Sequence, residues 1–160
     1  MSVSAFSKGF AEEPLRASAL KVDAARPRPR PTRTEAVVLN PSLVERLEMV
    51  RAHLHRHVAD PVSLAELAAI AALSPSYLVR AFKAHVGMPP HRYLVGLRID
   101  LARELLLTSS FSITQIAHRV GFASASHFIT RFQAAWGTTP FRFRRQAFLA
   151  AADALLRFQA

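Results

Sequence analysis

The chain contains no cysteine. Disulfides, cysteine-ligated zinc and a thiol nucleophile are excluded together, and a reducing compartment fits. Glycine is scarce, with five in 160 residues, while alanine and leucine are abundant, a balance that favours helix over strand. No apolar run approaches the length of a membrane span. The opening "MSVSAFSKGFAEEPL" lacks the apolar stretch of a secretory signal. Acid is also in short supply: 11 Asp and Glu stand against 21 Lys and Arg, giving a formal net charge of +10. Arginine carries most of that excess, and its planar fork suits phosphate and guanine. A polyanionic partner is therefore expected, at a cytoplasmic, nucleoid-associated location.

What is present divides into two parts. Residues 1 to about 40 include "RPRPRPTRTE", where proline alternates with arginine and removes backbone donors. This stretch reads as a flexible, basic, polyproline-like tail or linker. Fourteen of the 21 basic residues and seven of the 11 acidic ones lie beyond it. From Asn40 onward the pattern is helical. Leu43, Leu47, Val50 and Leu54 recur at helical spacing behind Pro41. "SLAE" at 63–66 and "SITQ" at 112–115 both have the form of a capping box and mark the starts of two short helices.

These two starts open a repeat. Ser63, Leu67, Ala68 and Leu73 align with Ser112, Ile116, Ala117 and Phe122 at an offset of 49. Leu78, Phe82, Gly87 and Pro90 align with Phe128, Phe132, Gly137 and Pro140 at an offset of 50. The slip of one residue falls in a turn, the mark of a duplicated supersecondary unit. Each copy reads as a short helix, a tight turn and a longer helix. Ala68 and Ala117 are small where the helices cross. Gly121 sits where a positive φ is often needed. Phe122 fills the angle, "SAS" at 124–126 caps a slim tip, and Phe128 with Phe132 anchor the second helix from behind. This is a helix-turn-helix, whose second helix can enter a DNA major groove.

The motifs "LAELA…LSPSYLVRAFKAHVGMPPHRYL", Arg98–Ala102–Leu105–Leu106, and "SITQIAHRVGFASASHFITRFQAAWGTTPFRFR" resemble the AraC/XylS family of bacterial transcription regulators over about residues 41–146. The resemblance implies an all-α fold of about seven helices. It has two helix-turn-helix subdomains, at 63–84 and 112–135, joined by a long helix at about 90–107. An amphipathic helical tail follows at 147–160. The resemblance further implies double-stranded promoter or operator DNA as partner. Ser76, Val79, Arg80, Ala125, Ser126, His127 and Thr130 would reach base edges. Lys83, Arg131, Arg142 and Arg144 would meet phosphates, with the capped helix starts at Ser63 and Ser112. RNA polymerase is a second candidate partner, and no effector ligand is expected within this chain. Three positions depart from the family pattern: Ala72 stands where glycine is common, Thr130 where arginine is, and Phe143 where tyrosine is. An alanine forced into left-handed geometry costs about 1 kcal/mol, so the first turn is expected to close differently from the second.

Other readings are weaker. His53, His55 and His57 suggest metal, but on a helix only 53 and 57 share a face and no acid or cysteine completes a set. No nucleophile elbow or glycine-rich loop supports catalysis, so neither an enzyme nor a cofactor or metal site is expected. Trp136 and the phenylalanines at helical spacing read as core, not as a cofactor box. A DNA-repair or methyl-transfer protein built on this module would need the missing cysteines. A non-specific architectural DNA-binding protein, or a fragment of a longer effector-sensing regulator, remains as an alternative.

Overall fold

The computed structural model describes residues 37–158, so most of the basic tail lies outside the described residues. Seven α-helices and no strands occur among them. They are α1 (Pro41–Arg56), α2 (Leu64–Ile70), α3 (Pro75–Val86), α4 (Pro90–Thr108), α5 (Ile113–Arg119), α6 (Ala125–Trp136) and α7 (Pro140–Phe158). Asn40 starts α1 by accepting the Leu43 amide at 2.8 Å. Gly87 and Gly137 stop α3 and α6 in left-handed conformations, at φ 87° and 69°.

The repeat is therefore three helices long. The unit α2–α3–α4 recurs as α5–α6–α7, and both third helices begin on proline and run 19 residues. There are two cores. Leu43, Leu47, Val50, Leu54, Leu67, Leu78 and Phe82 close the first with Tyr93, Leu94 and Leu97 of α4. Ile116, Phe122, Phe128 and Phe132 close the second with Ile99, Ala102 and Leu106, further along α4. One helix thus serves both modules, passing from one core to the other between Leu97 and Ile99.

The two turns close alike. The Leu73 amide donates to the Ala68 carbonyl and the Ala72 amide to Ala69; the Phe122 amide donates to Ala117 and the Gly121 amide to His118. These are paired Schellman motifs. The expected departure of the first turn is overturned: Ala72 adopts φ 50°, and is the single positive-φ residue other than glycine among the described residues. The chain bends by 76° between α2 and α3.

Three other expectations need correction. The first capping box is half formed. Ser63 accepts the Glu66 amide, but the Glu66 carboxylate lies 2.9 Å from His53 Nε2 on α1. That approach is off the hydrogen-bond line and leaves Nε2 without a hydrogen-bond partner. The second box is complete, with Ser112 and Gln115 bonded in both directions. Trp136 is 40% exposed rather than core. It lies against Phe132 and Phe143 at the rim, with the Arg103 guanidinium 5.0 Å over its ring. Finally, α7 runs unbroken through 146–147, because no glycine or proline interrupts it. Phe148 and Leu149 on its second half are exposed.

Candidate nucleic-acid interface

The second helix of each module carries its core anchors on one side and polar residues on the other. In α3, Leu78, Ala81 and Phe82 are buried while Ser76, Arg80 and Lys83 are exposed and Val79 is half-buried. In α6, Phe128 and Phe132 are buried while Ser126, His127, Thr130 and Arg131 are exposed. Both tips are capped from the turn. The Ser74 hydroxyl accepts the Tyr77 amide at 3.3 Å, and the Ser124 hydroxyl accepts the His127 amide at 3.3 Å. A capped tip with short side chains leaves the first helical turn narrow and its remaining amides facing outward.

The outward residues differ in how they are held. Arg80 is exposed, with its guanidinium 5.8 Å above the Tyr77 ring on the same helix. Thr130, at the corresponding place in α6, donates its hydroxyl to the Ser126 carbonyl at 3.0 Å, so its proton is already used. Arg131 Nε donates to His127 Nε2 at 3.1 Å, which places the His127 ring proton on Nδ1. The same ring packs edge-on against Phe122, 5.4 Å between centroids. Ala125 is half-buried and packs on the second core, so it offers a backbone and little side chain.

The flanking groups sort into two kinds. Lys83 and Arg142 are exposed. Ser63 and Ser112 are exposed, and both hydroxyls serve as helix caps. Arg144 is different. Its Nε donates to the Leu106 carbonyl at 3.2 Å, at the C-terminal end of α4. Its Nη2 is buried without a partner. A cation at a helix C-terminus is stabilised by the unpaired carbonyls there, and a side chain so engaged is turned away from solvent.

Sequence reasoning missed two residues. Gln133 is exposed one turn beyond Thr130, at the α6 position that repeats Lys83; the offset of 50 was the available signal. Arg98 sits at the seam between the modules, where Nε donates to the Val58 carbonyl and Nη2 to the Asp60 carbonyl, both at 2.8 Å. Burial lowers its pKa and nearby Asp60 opposes that shift. The histidines of α1 are engaged elsewhere: His55 Nε2 lies 2.8 Å from the Tyr93 hydroxyl and His57 Nδ1 lies 2.9 Å from Asp60. Among the described residues no three His, Cys, Asp or Glu gather as a metal site, and no single helix is long and apolar enough to cross a membrane.

Residues 67–146, half of the chain, match a family profile described as a helix-turn-helix domain. The chain belongs to the AraC/XylS family. Its α2–α3 and α5–α6 pairs are the two helix-turn-helix motifs of the AraC-type DNA-binding domain. The HTH-type transcriptional activator RhaS of Escherichia fergusonii is 42% identical over 100 residues, covering 62% of this chain and 36% of RhaS. The chain spans well under half the length of the curated relatives it matches. Among solved structures, an AraC-type transcriptional regulator from Chromobacterium violaceum matches with a TM-score of 0.61 and 30% identity, covering 68% of this chain and 96% of that one. The DNA-binding domain of AdpA, a global transcriptional factor solved in complex with a target DNA, matches with a TM-score of 0.60 and 30% identity. That alignment covers 62% of this chain and 90% of the AdpA chain.

Proposed function

We propose that this protein is a sequence-specific transcription regulator that reads two successive major-groove segments of one DNA face. The observation that carries the reading is the duplicated pair α3 and α6. Each is capped at its tip, anchored by buried residues behind and polar in front, and both are borne by one helix. The 19 residues of α4 span about 28 Å. With the turns, that matches the roughly 34 Å between successive major-groove openings. A single chain would then cover two half-sites without dimerising.

In this reading Arg80 takes guanine O6 and N7 together, and Val79 meets a thymine methyl. Ser76, Ser126, His127 and Thr130 make shorter contacts, Ala125 lets the backbone approach, and Gln133 joins the α6 face. Lys83, Arg131, Arg142 and the helix starts at Ser63 and Ser112 contact phosphates. Arg144 leaves that set, because it holds the end of α4. The protein works on the nucleoid, in the cytoplasm, with RNA polymerase as a second partner, and it carries out no catalysis.

The test is selection of bound sites from a random duplex pool, followed by titration of the selected site against random competitor. If roughly six phosphates are neutralised, log K falls with log salt at a slope near −5. A slope near zero overturns nucleic-acid binding. Equal affinity for selected and random duplex makes the protein an architectural binder instead.

A further inference from the structure

The two modules are joined with few contacts. Among the described residues, none of α1, α2 and α3 makes an extended contact with α5, α6 or α7; each set packs on its own members and on α4. Between the modules lies a cleft of about 480 Å³, lined in part by Pro61, Ser63, His91, His118 and Phe122. The connecting helix has a soft point in the same place. Gly96 lies mid-helix in α4, next to Leu97, the last α4 residue of the first core, and three residues before Ile99, which serves the second. Glycine lowers the stiffness and stability of a helix interior. A methyl there would meet nothing within 4 Å, so neither packing nor a positive φ requires the glycine.

Two residues further on, Arg98 closes the seam. Its guanidinium grips the carbonyls of Val58 and Asp60, in the loop before α2 of the first module. The turn of the second module is pressed on the same point. A methyl built on Gly121 would lie 2.6 Å from the Ala59 carbonyl oxygen and 2.9 Å from Arg98 Cζ. Loop, guanidinium and turn are therefore in contact in one stack.

We infer that Arg98 is a positioning residue: it locks the 58–60 loop to the Gly121 turn and so fixes the separation of α3 from α6 against bending at Gly96. In DNA terms it sets the half-site spacing that the protein accepts. That last step rests on the function proposed above; the mechanical step does not.

The absence of cysteine makes the mechanical step directly measurable. Ala84 and Ala134 are exposed, at repeat-equivalent places on α3 and α6. Spin labels on Ala84→Cys and Ala134→Cys report the distance between the reading helices in the free protein. The expected result is one narrow distribution with Arg98 present and a clearly broader one for Arg98→Ala. Adding Gly96→Ala to Arg98→Ala should narrow it again. Without labels, one base pair inserted between half-sites should weaken the parent protein at least about tenfold and Arg98→Ala by about threefold or less. If circular dichroism shows Arg98→Ala unfolded, Arg98→Lys replaces it in both measurements, since an ammonium cannot span both carbonyls in the same fork. An unchanged distance distribution in a folded Arg98 variant overturns the brace. Failure of the parent protein to prefer any DNA sequence overturns the function reading alone, because the label distances still decide the brace.

Discussion

The turns at 68–73 and 117–122 use the same two hydrogen bonds and place the same residue in the left-handed region, yet one carries alanine and the other glycine. The difference lies outside the turns. Ala72 is exposed, and its turn is held from α1 by Arg46, which donates to the Ala71 carbonyl at 3.3 Å. The chain bears a backbone strain of about 1 kcal/mol at this exposed position. Gly121 is pressed against the Ala59 carbonyl and Arg98, and there is no room for a methyl. Glycine at a turn can thus be required by a neighbour rather than by the turn. The reading helices are unequal in a parallel way: α3 presents an exposed arginine lying over the Tyr77 ring where α6 presents a threonine whose proton is spent on its own backbone.

The largest expected effect comes from making the second turn like the first. Gly121→Ala adds both strain and overlap, and should cost about 2–4 kcal/mol in denaturant unfolding. A cost below about 1 kcal/mol would show that the seam yields and that the two turns are equivalent after all. Next come the reading helices. Arg80→Ala should cost about 1–3 kcal/mol on the selected site and flatten preference at one base pair. Thr130→Ala and Ser126→Ala should cost less and shift preference little, and Arg131→Ala should weaken all sequences about equally. Titration against single-base variants of the site checks this; loss of preference in Thr130→Ala with preference intact in Arg80→Ala reverses the roles. Making the first turn like the second is milder. Ala72→Gly should be neutral or stabilising by up to about 1 kcal/mol, read from the unfolding midpoint.

The smallest effect is a pH dependence confined to the first module. Burial, then Arg51, hold His55 below the ordinary histidine value, with Glu48 opposing. The unfolded state then binds the proton more readily than the folded one. Stability is therefore complete above a pH of about 6.5 and falls as the solution is acidified through the folded value. Unfolding of His55→Gln across that range should show a shallower acid loss than the parent; identical slopes would remove His55 as a contributor.

Local features of this fold were legible in the sequence, and distant pairings were not. Serine caps, paired phenylalanines and the 49/50 offset are contained within short stretches, so Ser63, Ser112, Phe128 and Phe132 could be read directly, whereas the left-handed Ala72 ran against the expectation that strain would make its turn close differently. Arg144, Arg98 and Glu66 could not. Each has a chain neighbourhood typical of a surface helix, and each is drawn to a carbonyl or imidazole on another element, as in Arg144 to Leu106 and Arg98 to Val58. Trp136 was misplaced for a related reason: helical spacing puts it beside Phe132, but the module ends there and leaves one ring face to Arg103. Most of the outward residues of α3 and α6 were legible because their burial follows from the positions of the anchors. Gln133 was missed although the same offset pointed to it.

The division of buried residues into two clusters along α4 also has a kinetic consequence. The extended helix–helix contacts lie within α1–α4 or within α4–α7, so closing either cluster requires only short loops, and such topologies fold quickly. Each cluster can in principle open while the other persists, as a separate cooperative unit. Amide hydrogen exchange should then divide α4 itself: the amides around Tyr93 and Leu97 exchanging in step with α1 and α3, and those around Ala102 and Leu106 in step with α5 and α6.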